Sequence, residues 1–99
     1  MTIEKDIEQY LVQEVEKIGG LCWKFTSPGN AGVPDRIVIY GGQVVFVEVK
    51  APGKKPRKLQ LKRIQELRNE KVLAEIIESK SKVNWLVGKL ERGDADVNS

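Results

Sequence analysis

The sequence predicts an α/β domain: a mixed β-sheet flanked by helices, in the order α-β-β-β-α-β-α. Three observations carry this expectation. An apolar stripe of helical period opens the chain at Ile3, Ile7, Leu11, Val15 and Ile18. Two β-branched runs, Asp35–Tyr40 and Gln43–Lys50, are joined by Gly41-Gly42, which is a two-residue hairpin signal. A second helical segment and a further apolar run follow the hairpin, as a crossover to another strand requires.

The first helix is expected over residues 3–18, with Thr2 as its N-cap and Gly19-Gly20 as its stop. A short strand follows at Leu21–Phe25, rich in aromatic and apolar side chains. The next segment, TSPGNAGVP over residues 26–34, has two glycines, two prolines and an asparagine, and reads as a loop. In the hairpin, QVVFVEVK is apolar on both faces as far as Glu48, so it reads as a central, covered strand. Residues 51–57, APGKKPR, form a second loop. A helix is expected from Leu59 to Asn69, with Leu59, Ile64 and Leu67 facing the core. A fourth strand follows at Val72–Ile77, then a last helix at Lys82–Leu90. There is no repeat, low-complexity tract or linker. Residues 1–91 read as a single domain and 92–99 as a polar tail.

Composition narrows the chemistry. The 99 residues are 40% hydrophobic and 31% charged, which suits one small folded domain and neither a disordered chain nor a membrane protein. No apolar run approaches the roughly 20 residues of a membrane span. The acidic, helix-like start does not read as a secretory signal, and the single Cys22 cannot form an internal disulfide, so a reducing cytoplasm is expected. Cys22 itself reads as a small core residue. With no histidine, Ser-His-Asp and Cys-His catalysis are excluded, as are nearly all zinc sites.

The net charge of +3 is unevenly spread. Residues 1–23 carry five acids and two bases, whereas Val49–Gln65 carries no acid and seven bases: Lys50, Lys54, Lys55, Arg57, Lys58, Lys62 and Arg63. A local field of that sign suits a polyanion such as a phosphate backbone.

The hairpin concentrates the chemistry. A two-residue turn at Gly41-Gly42 places Asp35 opposite Glu48, at the end away from the turn. Glu48 and Lys50, two apart on a strand, share a face. Paired carboxylates are unfavourable unless compensated, and a divalent cation compensates them. The Val49 carbonyl offers a further oxygen. Beside a cation and a phosphate, Lys50 can hold a water or neutralise developing charge. The bland alternative is a salt-bridged strand end.

This constellation resembles the PD-(D/E)xK nuclease superfamily, with GVPD at Gly32–Asp35, a hairpin, and VEVK at Val47–Lys50. The block SPGNAGVPDRIV…FVEVKAPGKKPRKLQ, from Ser27 to Gln60, is similar to the central block of the VRR-NUC family in its short stand-alone phage and bacterial form. The opening helix ending in Gly-Gly and the VLAEIIES strand also fit. The resemblance implies a restriction-endonuclease-like sheet and a structure-selective DNA endonuclease in a bacterial or phage-infected cell. Its implied roles are as follows. Asp35 and Glu48 ligate Mg²⁺, for which Mn²⁺ substitutes, and Lys50 is the catalytic lysine. A glutamate of the first helix joins the metal: Glu8 is favoured, with Glu4 as the alternative. Gln60 lies near the active site. Ser27 and Lys24 contact phosphate, and Lys54, Lys55, Arg57, Lys58, Lys62 and Arg63 grip the backbone. Branched DNA such as a Holliday junction is the implied substrate and a homodimer the implied assembly. Two other functions stay open: a non-catalytic nucleic-acid binding module, and a nuclease subunit that needs a partner. Trp23 and Trp85 read as core residues, with base stacking as the alternative.

Overall fold

Gly41 and Gly42 take positive φ values of 55° and 81°, which a two-residue turn twisted to match its strands requires. In the computed structural model, described over residues 3–93, this turn joins the second and third of four strands. The elements are α1 (Glu4–Lys17), β1 (Leu21–Lys24), β2 (Arg36–Tyr40), β3 (Gln43–Val49), α2 (Lys58–Asn69), β4 (Leu73–Ile77) and α3 (Lys80–Arg92). The sheet order is β1-β2-β3-β4. The first three strands run antiparallel, and β4 returns parallel to β3 after the α2 crossover. The sheet is therefore mixed, with β3 inside it.

α1 and α3 pack together on one face of the sheet. Ile7, Leu11 and Val15 of α1 and Val83, Leu86 and Leu90 of α3 meet Val38, Val45, Val47, Val49 and Ile77. Burial of each such side chain contributes roughly 1.5–3 kcal/mol. Strand alternation sends Phe46 and Glu48 to the opposite face, where α2 supplies Gln60. Cys22 is buried with the first group, as expected.

Thr2 lies outside the described residues, as does most of the 92–99 tail. Ile3 occupies the cap position of α1, where its N–H donates to the Asp6 carboxylate at 3.2 Å. α3 begins two residues earlier than expected because the Ser79 hydroxyl accepts from the Lys82 N–H at 3.0 Å.

Two core assignments are corrected. Leu59 is 41% exposed, and the buried residues of α2 are Gln60 and Ile64. The inward arc of this helix is centred on a polar residue, which turns Leu59 to the flank. There it packs beneath Gly32, whose φ is +84° and where an added Cβ would lie 2.7 Å from the Leu59 Cγ. Trp23 is 56% exposed. Its neighbour Cys22 points at the helices, so alternation turns Trp23 to the other face, and α2 packs on β4 at the far edge of the sheet. Trp85 does pack against the core, with the ammonium groups of Lys82 and Lys89 at 4.0 and 4.7 Å from its ring centroid. No described helix is long and apolar enough to cross a membrane.

Candidate active site

Three elements converge at the end of the hairpin away from the turn. Arg36 pairs with Val47, so Asp35, one residue outside β2, comes next in register to Glu48 near the end of β3. The Asp35 carbonyl accepts from the Phe25 N–H at 2.9 Å, which pins this residue to the end of β1. Glu48 is 4% exposed. Its carboxylate accepts from Gln60 Nε2 at 3.3 Å and lies 3.8 Å from Lys50 Nζ. Gln60 is held in turn, because its Oε1 accepts the Arg57 N–H at 2.8 Å. Lys50, one residue beyond β3, is fixed by its own N–H on the Ile77 carbonyl at 2.9 Å.

The electrostatics are costly. Burial, and then the charge of Asp35, push the Glu48 carboxyl up to about 7, with Lys50 opposing. Burial, and then the charge of Glu8, raise the Asp35 carboxyl as well. Asp35 Oδ1 is buried and has no hydrogen-bond partner; no other side-chain oxygen or nitrogen among the described residues is in that position. Such an atom costs free energy unless something meets it.

Glu8 is engaged elsewhere. Its carboxylate accepts from Arg36 Nε at 2.9 Å, and the pair lines a groove with Lys24 between α1 and β1. The charge of Glu4 bears on both Asp35 and Glu48, while that of Glu8 bears on Asp35. Among the described residues, no three Asp, Glu, His or Cys side chains converge to hold an ion. The donor set is therefore two carboxylates at one strand end, with the Val49 backbone between Glu48 and Lys50. Hard oxygen donors of this kind, with one carboxylate oxygen orphaned, fit Mg²⁺ or Mn²⁺.

The basic residues divide into two groups. Lys54, Lys55, Arg57, Lys58 and Lys62 surround the second loop and the start of α2, and all five are exposed. Arg63 is turned inward, donating to the Ala31 carbonyl at 2.8 Å and pairing with Glu66 at 2.9 Å, so it braces the 26–34 loop. Ser27 accepts from Asn30 Nδ2 at 3.1 Å within the same loop. Lys24 is exposed on β1. Sequence reasoning missed Arg36, although its place directly after the Pro34-Asp35 pair was a signal.

No family model matches the chain. Sixty residues are 57% identical to a protein of Acyrthosiphon pisum secondary endosymbiont phage 1 named "Putative nuclease p44", over 60% of this chain and 64% of that protein. The chain thus spans less than two thirds of that curated relative. A solved structure described as a VRR_NUC domain superposes with a TM-score of 0.81 at 30% identity, covering 89% of this chain and 97% of the other. The chain belongs to the VRR-NUC family. The α-β-β-β-α-β-α order and the mixed four-stranded sheet match this VRR-NUC fold, and the family resemblance read from the sequence holds.

Proposed function

We propose that this VRR-NUC domain is a divalent-metal-dependent DNA endonuclease acting on branched DNA. The observation that carries the reading is the pairing of a buried Glu48 with a half-buried Asp35, with an orphaned Asp35 oxygen and Lys50 alongside. Asp35, Glu48 and the Val49 carbonyl would hold the ion. When bound, Mg²⁺ or Mn²⁺ supplies Lewis-acid polarisation of the phosphoryl oxygen and a more acidic water. Lys50 orients the attacking water and offsets charge on the phosphoryl oxygens. Gln60 holds the Glu48 carboxylate in place. Water adds to phosphorus and the P–O3′ bond breaks, leaving a 5′-phosphate and a 3′-hydroxyl. Both helix glutamates remain candidates for the ion. Glu8 accepts from Arg36 but its charge acts on Asp35 ahead of that of Glu4, and the charge of Glu4 acts on Asp35 and Glu48. The test is incubation of purified protein with four-way junction DNA in Mg²⁺ and in EDTA. Nicking in Mg²⁺ alone is the expected result. No nicking in either supports a binding module, and nicking only after a second protein is added supports a partner-dependent subunit.

The bases of the second loop would hold the backbone without reading sequence. Lys54→Ala, Lys55→Ala and Arg57→Ala combined should weaken binding to all DNA sequences alike. The slope of log affinity against log salt should flatten by about 0.9 for each phosphate that is no longer neutralised. An unchanged slope, measured by fluorescence anisotropy, would place the grip on the backbone elsewhere.

Cuts on two opposing strands need two sites, which a homodimer with two-fold symmetry supplies. Leu21, Trp23 and Val44 are 44%, 56% and 40% exposed on one face of the sheet and offer an apolar surface for it. Sedimentation should show a dimer at micromolar concentration and a monomer for Trp23→Glu. A monomeric wild type would contradict the assembly.

A further inference from the structure

We infer that the cavity beside the catalytic end of the sheet is the seat of one unpaired nucleobase next to the scissile phosphate. This rests on the nuclease reading and names how the same site would select branched DNA. The cavity has a volume of about 260 Å³ and lies between the 26–34 loop, the sheet and α2. Its walls are apolar: Phe25, Phe46, Pro34 and Leu67. The two phenylalanine rings meet edge to face, with centroids 5.1 Å apart at 79°.

Its position is set by the same backbone that sets the site. Pro34 directly precedes Asp35, and Phe46 lies two residues before Glu48 on the same face of β3. A strand whose phosphate reaches Asp35 and Glu48 therefore passes the mouth of the cavity. The lining charges decide which part of a nucleotide enters. Arg63 also lines the cavity, but its guanidinium is engaged by the Ala31 carbonyl and by Glu66. The unneutralised charge is that of Glu70, which disfavours a phosphate, and the apolar walls give it nothing to bond. A base has the complementary character, with a planar apolar body for the aromatic wall and edge N–H groups for the carboxylates. The cavity is braced before any ligand arrives, through Arg63 on the Ala31 carbonyl and Leu59 packed beneath Gly32. Linear duplex DNA keeps its bases paired, whereas a branch point releases one at low cost.

The test is an abasic scan. Four-way junctions carry a tetrahydrofuran abasic residue at each nucleotide around the branch in turn, and binding is read by anisotropy in EDTA. For the wild type, loss of one particular base on each cut strand should weaken binding about tenfold. Leu67→Trp, which fills the cavity, should bind the intact junction about tenfold more weakly and no longer sense that abasic position. Circular dichroism checks that the variant is folded, and the wild-type scan stands without it. Affinities within about twofold across every position overturn the proposal, as does a folded Leu67→Trp that retains wild-type discrimination. Because binding is read without metal, a junction bound with discrimination but never cut in Mg²⁺ counts against the nuclease reading alone.

Discussion

Lys50→Ala, Asp35→Asn and Glu48→Gln should each abolish junction cleavage while leaving junction binding in EDTA largely intact. A positioned proton-transfer or charge-stabilising group is worth roughly 10²- to 10⁴-fold, and losing a carboxylate that seats the ion costs at least as much. Asp35→Asn separates a chemical role from a structural one. The Asp35 carboxylate is half-buried, raised by burial, and has an unpartnered oxygen, so a neutral amide there should leave the metal-free melting temperature unchanged or higher. A structural ion pair would behave oppositely, and removing it would lower stability. Single-turnover cleavage, anisotropy and thermal melts on the three variants check this. Cutting by Lys50→Ala within about tenfold of wild type contradicts the role given to the lysine.

Stability of the metal-free protein should fall as pH rises. The Glu48 carboxyl moves from an ordinary 4.5 to about 7 in the folded chain. Between those values the folded state keeps a proton that the unfolded state has released. The stabilisation is complete below the lower value and is lost as pH climbs through the upper one. The shift corresponds to about 3 kcal/mol. Asp35 is raised too and adds to the same slope. Ion binding needs the ionised carboxylates, so it should follow the reverse course, strengthening over the same range, with cleavage rising alongside. Denaturant melts in EDTA at about pH 5 and about pH 8 measure this. Glu48→Gln, which copies the protonated side chain, should flatten most of the difference. A wild type more stable at the higher pH would show that Glu48 is not buried against Asp35.

Both experiments depend on a register that is legible in the chain itself. Gly41-Gly42 leaves a two-residue turn as the simple solution, and the β-branched runs on either side fix the pairing, so Asp35 and Glu48 had to meet. The helices are legible for the same reason, as periodicity in apolar positions. What stayed hidden needed tertiary packing. The inward stripe of α2 runs through Gln60, a polar residue that breaks the apolar pattern and made Leu59 look central. Trp23 looked like a core residue by type, yet its side of the strand depends on which face the helices cover. The Glu8–Arg36 pair joins residues 28 apart through the packing of α1 on the sheet, which no local pattern reports. The cavity walled by Phe25, Phe46 and Leu67 likewise gathers three elements distant in sequence.

A cation seated by Asp35 and Glu48 underlies all of this chemistry. Titration calorimetry of Mn²⁺ into the metal-free chain at about pH 8, above the Glu48 value of about 7, addresses it directly. One saturable ion per chain in the wild type, lost in both Asp35→Asn and Glu48→Gln, is the predicted result. No binding by the wild type, or equal binding by the two variants, would contradict it.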